Sequence, residues 1–189
     1  MRREVVYFEK PGRHNTDECI EIIKRELSEG RIRHLVVATT GGDTALRLCD
    51  AIDVAGVNLV AVTHSYGFRE PNTIEITPED RNRLEERGVK VYTGTMITHN
   101  VETAFASKFG GLYPTTLIAQ TLRRFGEGPK VCCEIVLMAA DAGLIPEGEE
   151  VLSVAGTGRG ADTVMIIRAA TSKRFLDLRV LEILAKPRG

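Results

Sequence analysis

The stretch "LVVATTGGDTALRL", residues 35–48, decides how we read the fold. An apolar run ends in two threonines and two glycines, and apolar residues then return with helical spacing. We interpret it as a strand that leads directly into the N-terminus of a helix. Its middle, "TTGGDT" at 39–44, offers hydroxyls and unhindered N–H groups where that helix exposes its positive end. The pattern is typical of a phosphate-type site, and a tight turn with a capping Thr or Asp explains it equally well.

The same order of strand, loop and helix repeats on both sides of this stretch. Strands are predicted at 5–8, 34–38, 59–63 and 89–93. Two of the intervening helices have clear start signals: Asn15 with Glu18 as a capping box, and Thr77 before Pro78. The near-continuous apolar character of 34–38 suits a strand covered on both faces. We therefore predict an α/β fold with three layers, built on a doubly wound, mostly parallel sheet.

The second half of the chain is less regular. A helix is predicted within 113–126, but the path over 96–111 is not determined by any pattern. Residues 131–142 are apolar nearly all round and predict a buried helix, in which we place Glu134 on an exposed stripe. Residues 150–170 predict two short strands around a glycine-rich loop, whereas the tail at 175–187 fits a strand or a helix.

Composition limits the classes of function. A chain of 189 residues with 43% hydrophobic residues can bury the core of one domain, which we place at 1–189. The net charge of −1 argues against nucleic acid as a partner. No apolar run approaches the roughly 18 residues of a membrane span, so we expect no membrane partner. The four cysteines lack C-x-x-C spacing and no histidine lies at ligand spacing from them, so we expect reduced thiols, a cytoplasmic location and no metal.

Three further loops share the small, hydroxyl-rich composition of the opening one. They are "THSYGF" at 63–68, "TGTMITHN" at 93–100 and "AGTGRGADT" at 155–163, and each follows a predicted strand. Ligands of open α/β sheets bind beyond the carboxyl ends of the strands, so we expect the four loops to converge on one pocket. The last loop is predicted to bring backbone amides, Thr157 and Arg159 to the same anion.

The last loop also contains "GTGRGA", residues 156–161, which matches the G-x-G-x-x-A pattern of dinucleotide-binding enzymes. The residues that follow are β-branched and predict a strand. Because the fingerprint requires a helix at that place, we do not interpret it as a dinucleotide site.

Four ring-bearing residues lie in the predicted pocket loops. His64 and His99 are weak candidates for a general acid or base, because spacing reveals no partner carboxylate for either. Tyr66 and Phe68 could flank a planar ligand ring, or pack their loop onto the domain. For all four, a structural role is the simpler interpretation.

Three segments together resemble a known family. "VVATTGGDTALRLCD" at 36–50 and "VLSVAGTGRGADTVMII" at 151–167 resemble the C-terminal α/β domain of pyruvate kinase. "NVETAFASKFGGLYPTTLIAQTLRRFGEGPKVCCEI" at 100–135 is similar to the stand-alone members of this pyruvate kinase α/β-domain family. The resemblance implies the fold of that domain. It does not imply pyruvate kinase activity, because the residues of the catalytic barrel have no counterpart in this sequence.

The resemblance also implies a ligand and its contacts. In pyruvate kinase, two loops of this domain hold a phosphorylated effector; the matching residues here are Thr39, Thr40, Gly41, Gly42 and Thr44, and Thr157, Gly158, Arg159 and Gly160. Stand-alone relatives are associated with flavin mononucleotide (FMN), for which the candidate contacts are Ser65, Tyr66, Gly67, Phe68 and Met96. Asp43 argues against a sugar bisphosphate, because its carboxylate would repel two phosphates unless it points away.

The leading hypothesis is therefore a small-ligand-binding protein that holds a phosphorylated small molecule, with FMN as the expected cofactor. Two alternatives remain at this point. One is a flavin- or phosphate-dependent enzyme that uses His64 or His99, and the other is a regulatory module that binds a phosphorylated effector. The apolar helix from Val131 and the tail could pack internally or against a second copy of the chain, so a homo-oligomer is also considered.

Overall fold

The computed structural model describes residues 2–189, and Met1 of the predicted domain lies outside them. Seven strands form one sheet in the order β1-β7-β6-β5-β2-β3-β4. The strands are β1 (Val6–Phe8), β2 (His34–Ala38), β3 (Asn58–Val62), β4 (Lys90–Tyr92), β5 (Glu150–Ala155), β6 (Thr163–Arg168) and β7 (Arg179–Pro187). β6 runs antiparallel to both of its neighbours, and the other pairs are parallel.

Six α-helices accompany the sheet. They are α1 (Thr16–Ser28), α2 (Asp43–Ala51), α3 (Pro78–Glu86), α4 (Val101–Phe109), α5 (Pro114–Leu122) and α6 (Glu127–Asp141). Successive strand residues point to opposite faces, so Val37 joins the core under α1, α2 and α3, while Val36 joins the core under α6. Helices cover both faces, and the prediction of a three-layer, doubly wound, mostly parallel α/β fold is confirmed.

The helix predicted at 131–142 is confirmed as the buried helix α6, but the placement of Glu134 on an exposed stripe was wrong. Glu134 is 3% exposed and forms an ion pair with Lys130, one helical turn earlier. An all-round apolar helix can carry a carboxylate in its interior when a cation on the same face neutralises it. The i,i+4 spacing of Lys130 and Glu134 was the available signal for this arrangement.

Some local signals acted as predicted and others did not. Thr77 caps α3, its Oγ1 accepting a hydrogen bond from the Asp80 amide at 3.0 Å, with Pro78 in the first turn. The capping box predicted at Asn15 does not form. The Asn15 side-chain amide instead donates hydrogen bonds to the carbonyl oxygens of Lys10 and Gly12, at 2.9 and 3.1 Å.

The direction of the strands places the candidate loops together. β2, β3, β4 and β5 are mutually parallel, so the segments at 39–42, 63–77, 93–100 and 156–162 all leave the sheet at its carboxyl edge. Antiparallel β6 begins at the same edge, which lets the glycine loop return there directly. No helix within residues 2–189 has the length and apolar character needed to cross a bilayer.

Candidate anion-binding site

A cavity of about 300 Å³ opens at the carboxyl edge of the sheet; we call it the front cavity. Its walls come from the loop after β2, the loop after β3, the loop after β4, the loop between β5 and β6, and the first half of α6. The volume is at the lower end of the range of about 300–1,000 Å³ that is usual for small-molecule sites.

The loop after β2 delivers α2 to this cavity without a side-chain cap. Gly42 precedes the helix with a φ of 100°, a conformation that favours glycine, and no side chain bonds the amides of Asp43, Thr44 or Ala45 within residues 2–189. Thr39 closes the turn, because its Oγ1 accepts a hydrogen bond from the Gly42 amide at 3.0 Å. The positive end of α2 therefore presents free N–H groups beside the cavity.

The glycine loop, which we define as residues 156–162, is held from beneath by a buried carboxylate. Asp162 is fully buried, and its Oδ2 accepts from the amides of Gly12 and Thr157 at 2.9 and 3.0 Å. At Gly160 the loop presses on the chain before α1, where a Cβ would lie 2.6 Å from the Cα of Arg13. Gly158 and Gly160 line the cavity, and a glycine can do so only with its backbone.

The structure brings together most of the residues that the sequence selected, and leaves some outside. The selected residues that line the front cavity are Thr39, Thr40, Gly41, Thr44, His64, Phe68, Met96, His99, Gly158, Arg159 and Gly160. The selected residues that do not line it are Gly42, Ser65, Tyr66, Gly67 and Thr157. Tyr66 is 63% exposed and its hydroxyl donates to the Asn72 carbonyl, while the Thr157 amide is occupied by Asp162.

Sequence reasoning missed the cavity wall that α6 and the segment before it provide. Arg123, Glu127 and Lys130 line the cavity there, together with Glu134. Arg69, from the loop after β3, was also missed. The sequence offered one signal for this wall, the i,i+4 spacing of Lys130 and Glu134. The position of Arg123 in the cavity depends on the tertiary fold, so no sequence pattern predicts it.

The ion pair of α6 is buried at the base of the front cavity. Lys130 Nζ lies 2.6 Å from Glu134 Oε2, and Glu134 Oε1 accepts from the Thr98 amide and hydroxyl at 2.7 and 2.6 Å. Burial alone would raise the pKa of the Glu134 carboxyl, but Lys130 and the Thr98 bonds outweigh it and hold that pKa below its usual value. The Lys130 ammonium can donate three hydrogen bonds, and it donates one within residues 2–189, to Glu134. Two of its N–H groups are therefore available to other acceptors.

The remaining cations of the cavity differ in how far carboxylates neutralise them. Arg69 pairs with Glu75 at 2.8 Å, and Arg123 pairs with Glu127 at 2.6 Å. Arg159 is exposed and has no carboxylate partner within the described part of the chain. Its guanidinium is therefore the least compensated positive charge at the mouth of the cavity.

Two histidines face the cavity in different surroundings. His64 Nδ1 lies 2.9 Å from Glu75 Oε1, a carboxylate partner that spacing did not reveal. Burial and the nearby Lys130 lower the pKa of His99, although Glu134 opposes them. The Phe68 ring lies between the two imidazoles, with centroid distances of 4.3 Å to His64 and 5.4 Å to His99.

Comparison with known proteins assigns the chain to a family. The model of the family described as "Pyruvate kinase, alpha/beta domain" matches residues 17–167. The chain belongs to this family. The resemblance noted in the sequence is thereby confirmed, and the strands and helices follow the α/β architecture expected for it.

Two solved structures share this similarity at low identity. A pyruvate kinase from Cryptosporidium parvum is 18% identical with a TM-score of 0.41, and the match covers 82% of this chain and 23% of that one. A Cryptosporidium parvum pyruvate kinase in complex with ADP is 19% identical with a TM-score of 0.42, and the match covers 82% and 24%. The chain thus spans about a quarter of the length of either pyruvate kinase.

The hypothesis of FMN binding was wrong. The chain belongs to the pyruvate kinase α/β-domain family, and nothing in that match points to a flavin. The site agrees with this correction, because Tyr66 does not line the cavity and Phe68 already packs against two imidazoles. The interpretation as a flavoprotein, including the flavin-dependent enzyme, falls with it.

Proposed function

We propose that this member of the pyruvate kinase α/β-domain family binds a small phosphorylated molecule in the front cavity. The observation that carries the proposal is the meeting of two separate loops at one cavity, each with backbone amides that have no acceptor within residues 2–189. These amides belong to the start of α2 and to residues 158–160 of the glycine loop. A phosphate group requires several donors from different directions, and two such loops supply them.

Charge supports an anion of low valence. Arg159 has no carboxylate partner within residues 2–189, whereas Lys130, Arg69 and Arg123 are each paired with a glutamate. Asp43 also lines the cavity and adds a negative charge beside the α2 amides. This balance favours one phosphate group over two, because a second would lie among carboxylates.

Titration with inorganic phosphate tests the proposal. We expect saturable shifts of the amide resonances of residues 41–45 and 158–160 in ¹H–¹⁵N spectra. Arg159→Gln should weaken phosphate binding about three- to tenfold, since a charge-assisted contact is lost. Arg168→Gln is the matched control, because Arg168 is an exposed arginine at the other end of β6.

Two results would contradict this function. One is the absence of shifts in both loops at phosphate concentrations in the millimolar range, and the other is an equal loss of affinity in the Arg159 and Arg168 variants. The cytoplasmic location and the association of two copies rest on the sequence alone and stay predictions.

A further inference from the structure

A second cavity of about 300 Å³ lies behind the ion pair of α6; we call it the rear cavity. Its walls come from residues 97–100, from α5 and α6, and from the turn Ser172–Asp177. We propose that the rear cavity binds a second small molecule, a neutral apolar compound that carries one hydrogen-bond acceptor. This proposal does not rest on phosphate binding in the front cavity.

The walls of the rear cavity are mainly apolar. The apolar side chains that form them are Ile97, Ile118, Leu122, Cys133, Leu137 and Phe175. Burial raises the pKa of the Cys133 thiol to about 12, so this residue also contributes a neutral surface. Cavities with apolar walls and a few fixed polar groups are the usual sites of small-molecule binding.

Most polar groups of the walls are already satisfied inside the protein. Asn100 donates to the Ile97 carbonyl and accepts from the Glu102 amide, at 2.8 and 2.9 Å. The Thr115 hydroxyl is bonded to Glu102, and the Thr98 hydroxyl to Glu134. Deep in the cavity this leaves Lys130, whose ammonium is 2% exposed and uses one of its three donors.

The charge beside Lys130 determines which ligand fits. Glu134 neutralises the ammonium, and both of its carboxylate oxygens already accept hydrogen bonds. An anionic ligand would meet the buried carboxylate at short range, and a cation would meet the ammonium. A neutral acceptor such as a carbonyl oxygen can take one of the unused N–H groups without either penalty.

Two probes of the same shape separate the apolar part of this proposal from the polar part. Acetophenone carries a carbonyl acceptor, and ethylbenzene has nearly the same outline without one. We expect both to shift resonances of residues around the rear cavity. In Lys130→Met combined with Glu134→Gln, the ratio of acetophenone affinity to ethylbenzene affinity should fall about fivefold, because a charged donor is replaced by a neutral one.

Filling the cavity provides a test that keeps the ion pair intact. Ile118→Trp places a larger side chain into the rear cavity and should abolish binding of both probes. Leu117→Trp is the matched control, since Leu117 is the preceding residue of α5, is 50% exposed and lies outside the cavity wall. Phosphate titration of Ile118→Trp should match the unsubstituted protein, which separates failure of this proposal from failure of the front site.

Binding of either probe that persists in Ile118→Trp, or the absence of binding in the unsubstituted protein, would overturn the proposed site. An unchanged affinity ratio in the Lys130 and Glu134 double variant would overturn the role of the ammonium.

Discussion

Asp43 has two opposing effects at the start of α2. As an acidic residue in the first turn, it interacts favourably with the positive end of the helix. The same residue lines the front cavity, where its carboxylate repels an incoming anion. Within residues 2–189 no side chain caps α2, and Asp43 is the acidic residue of its first turn. Its charge limits the affinity of the cavity for phosphate.

Asp43→Asn should therefore bind inorganic phosphate more tightly. Removing one like charge at this exposed, solvent-screened position is worth about 0.5 kcal/mol, or roughly a twofold lower dissociation constant. Isothermal titration calorimetry measures the change. Glu79→Gln serves as control, because Glu79 is the equivalent first-turn acid of α3 and lies outside the cavity wall. Weaker binding by Asp43→Asn would mean that the carboxylate helps to hold the ligand.

Single residues also show how far a sequence can be interpreted at this scale. Thr77 and Pro78 correctly predict a helix start, because a cap and a first-turn proline act on the turn that follows them. His64 could not be matched with Glu75, since the loop between them has no regular period that brings them together. Glu134 was misplaced because the predicted helix begins at residue 131 and so excludes Lys130, whereas α6 begins at Glu127.

Among the helices and strands, α6 contains a buried ion pair, Lys130–Glu134, whose formation requires two charges to leave water. Both side chains are buried at 2–3% exposure, where either charge alone would be costly. The pair also fixes Thr98, so α6 is tied to the segment that precedes α4. Losing one charge therefore affects both the helix and that segment.

Lys130→Met should reduce the free energy of unfolding by about 3 kcal/mol, because it leaves the Glu134 carboxylate buried without a counter-ion. Lys130→Met with Glu134→Gln should regain most of this loss, since the amide oxygen still accepts from Thr98. Urea denaturation measures both variants. Lys108→Met is the control, because Lys108 is exposed on α4, and it should stay within about 0.5 kcal/mol of the unsubstituted protein. A double variant that is as unstable as the single one would show that the cost is in packing.

Sequence patterns failed to predict α4 and did not decide the tail, and both of these segments are partly exposed. None of the residues of α4 is buried, and Val101 and Phe105 are 70% and 50% exposed, so no apolar stripe marks the helix. The tail forms β7, whose pairing with β6 shifts register twice and whose first residues are exposed. An irregular, half-exposed strand does not show the alternation that identifies a strand.

At the scale of the whole molecule, two partly buried histidines, His34 and His99, couple stability to pH. Burial lowers the pKa of His34, although Glu149 opposes it, and burial with Lys130 lowers the pKa of His99, although Glu134 opposes them. Below about pH 6.5 the unfolded chain binds protons at both positions while the folded protein does not yet do so. Stability should therefore fall as the pH decreases from about 6.5 towards the lowered folded-state values.

The change in the free energy of unfolding per pH unit measures how many more protons the unfolded chain binds at the two histidines than the folded protein does. One proton difference corresponds to at most about 1.4 kcal/mol per pH unit. His99→Gln should remove part of the slope, and His34→Gln should remove another part, with additive effects because the residues lie in different regions. Urea titrations at a series of pH values between 5 and 7 measure it. Identical slopes in all three proteins would mean that neither imidazole carries the linkage.

The convergence of the loops was the global feature most accessible from the sequence. Parallel strands end at one edge of their sheet, so the loop at 39–42 and the glycine loop were expected to meet, and both line the front cavity. The contribution of α6 could not be anticipated, because it depends on how that helix crosses the opposite face of the sheet.

The position of β1 has a consequence for how the chain is made. β1 lies at the border of the sheet, and its neighbour is β7, with Val6 paired to Ala185. During synthesis β1 must therefore wait until β7 has left the ribosome before it finds its partner. We expect the nascent protein to form the β2, β3 and β4 pairs before β1 joins the sheet.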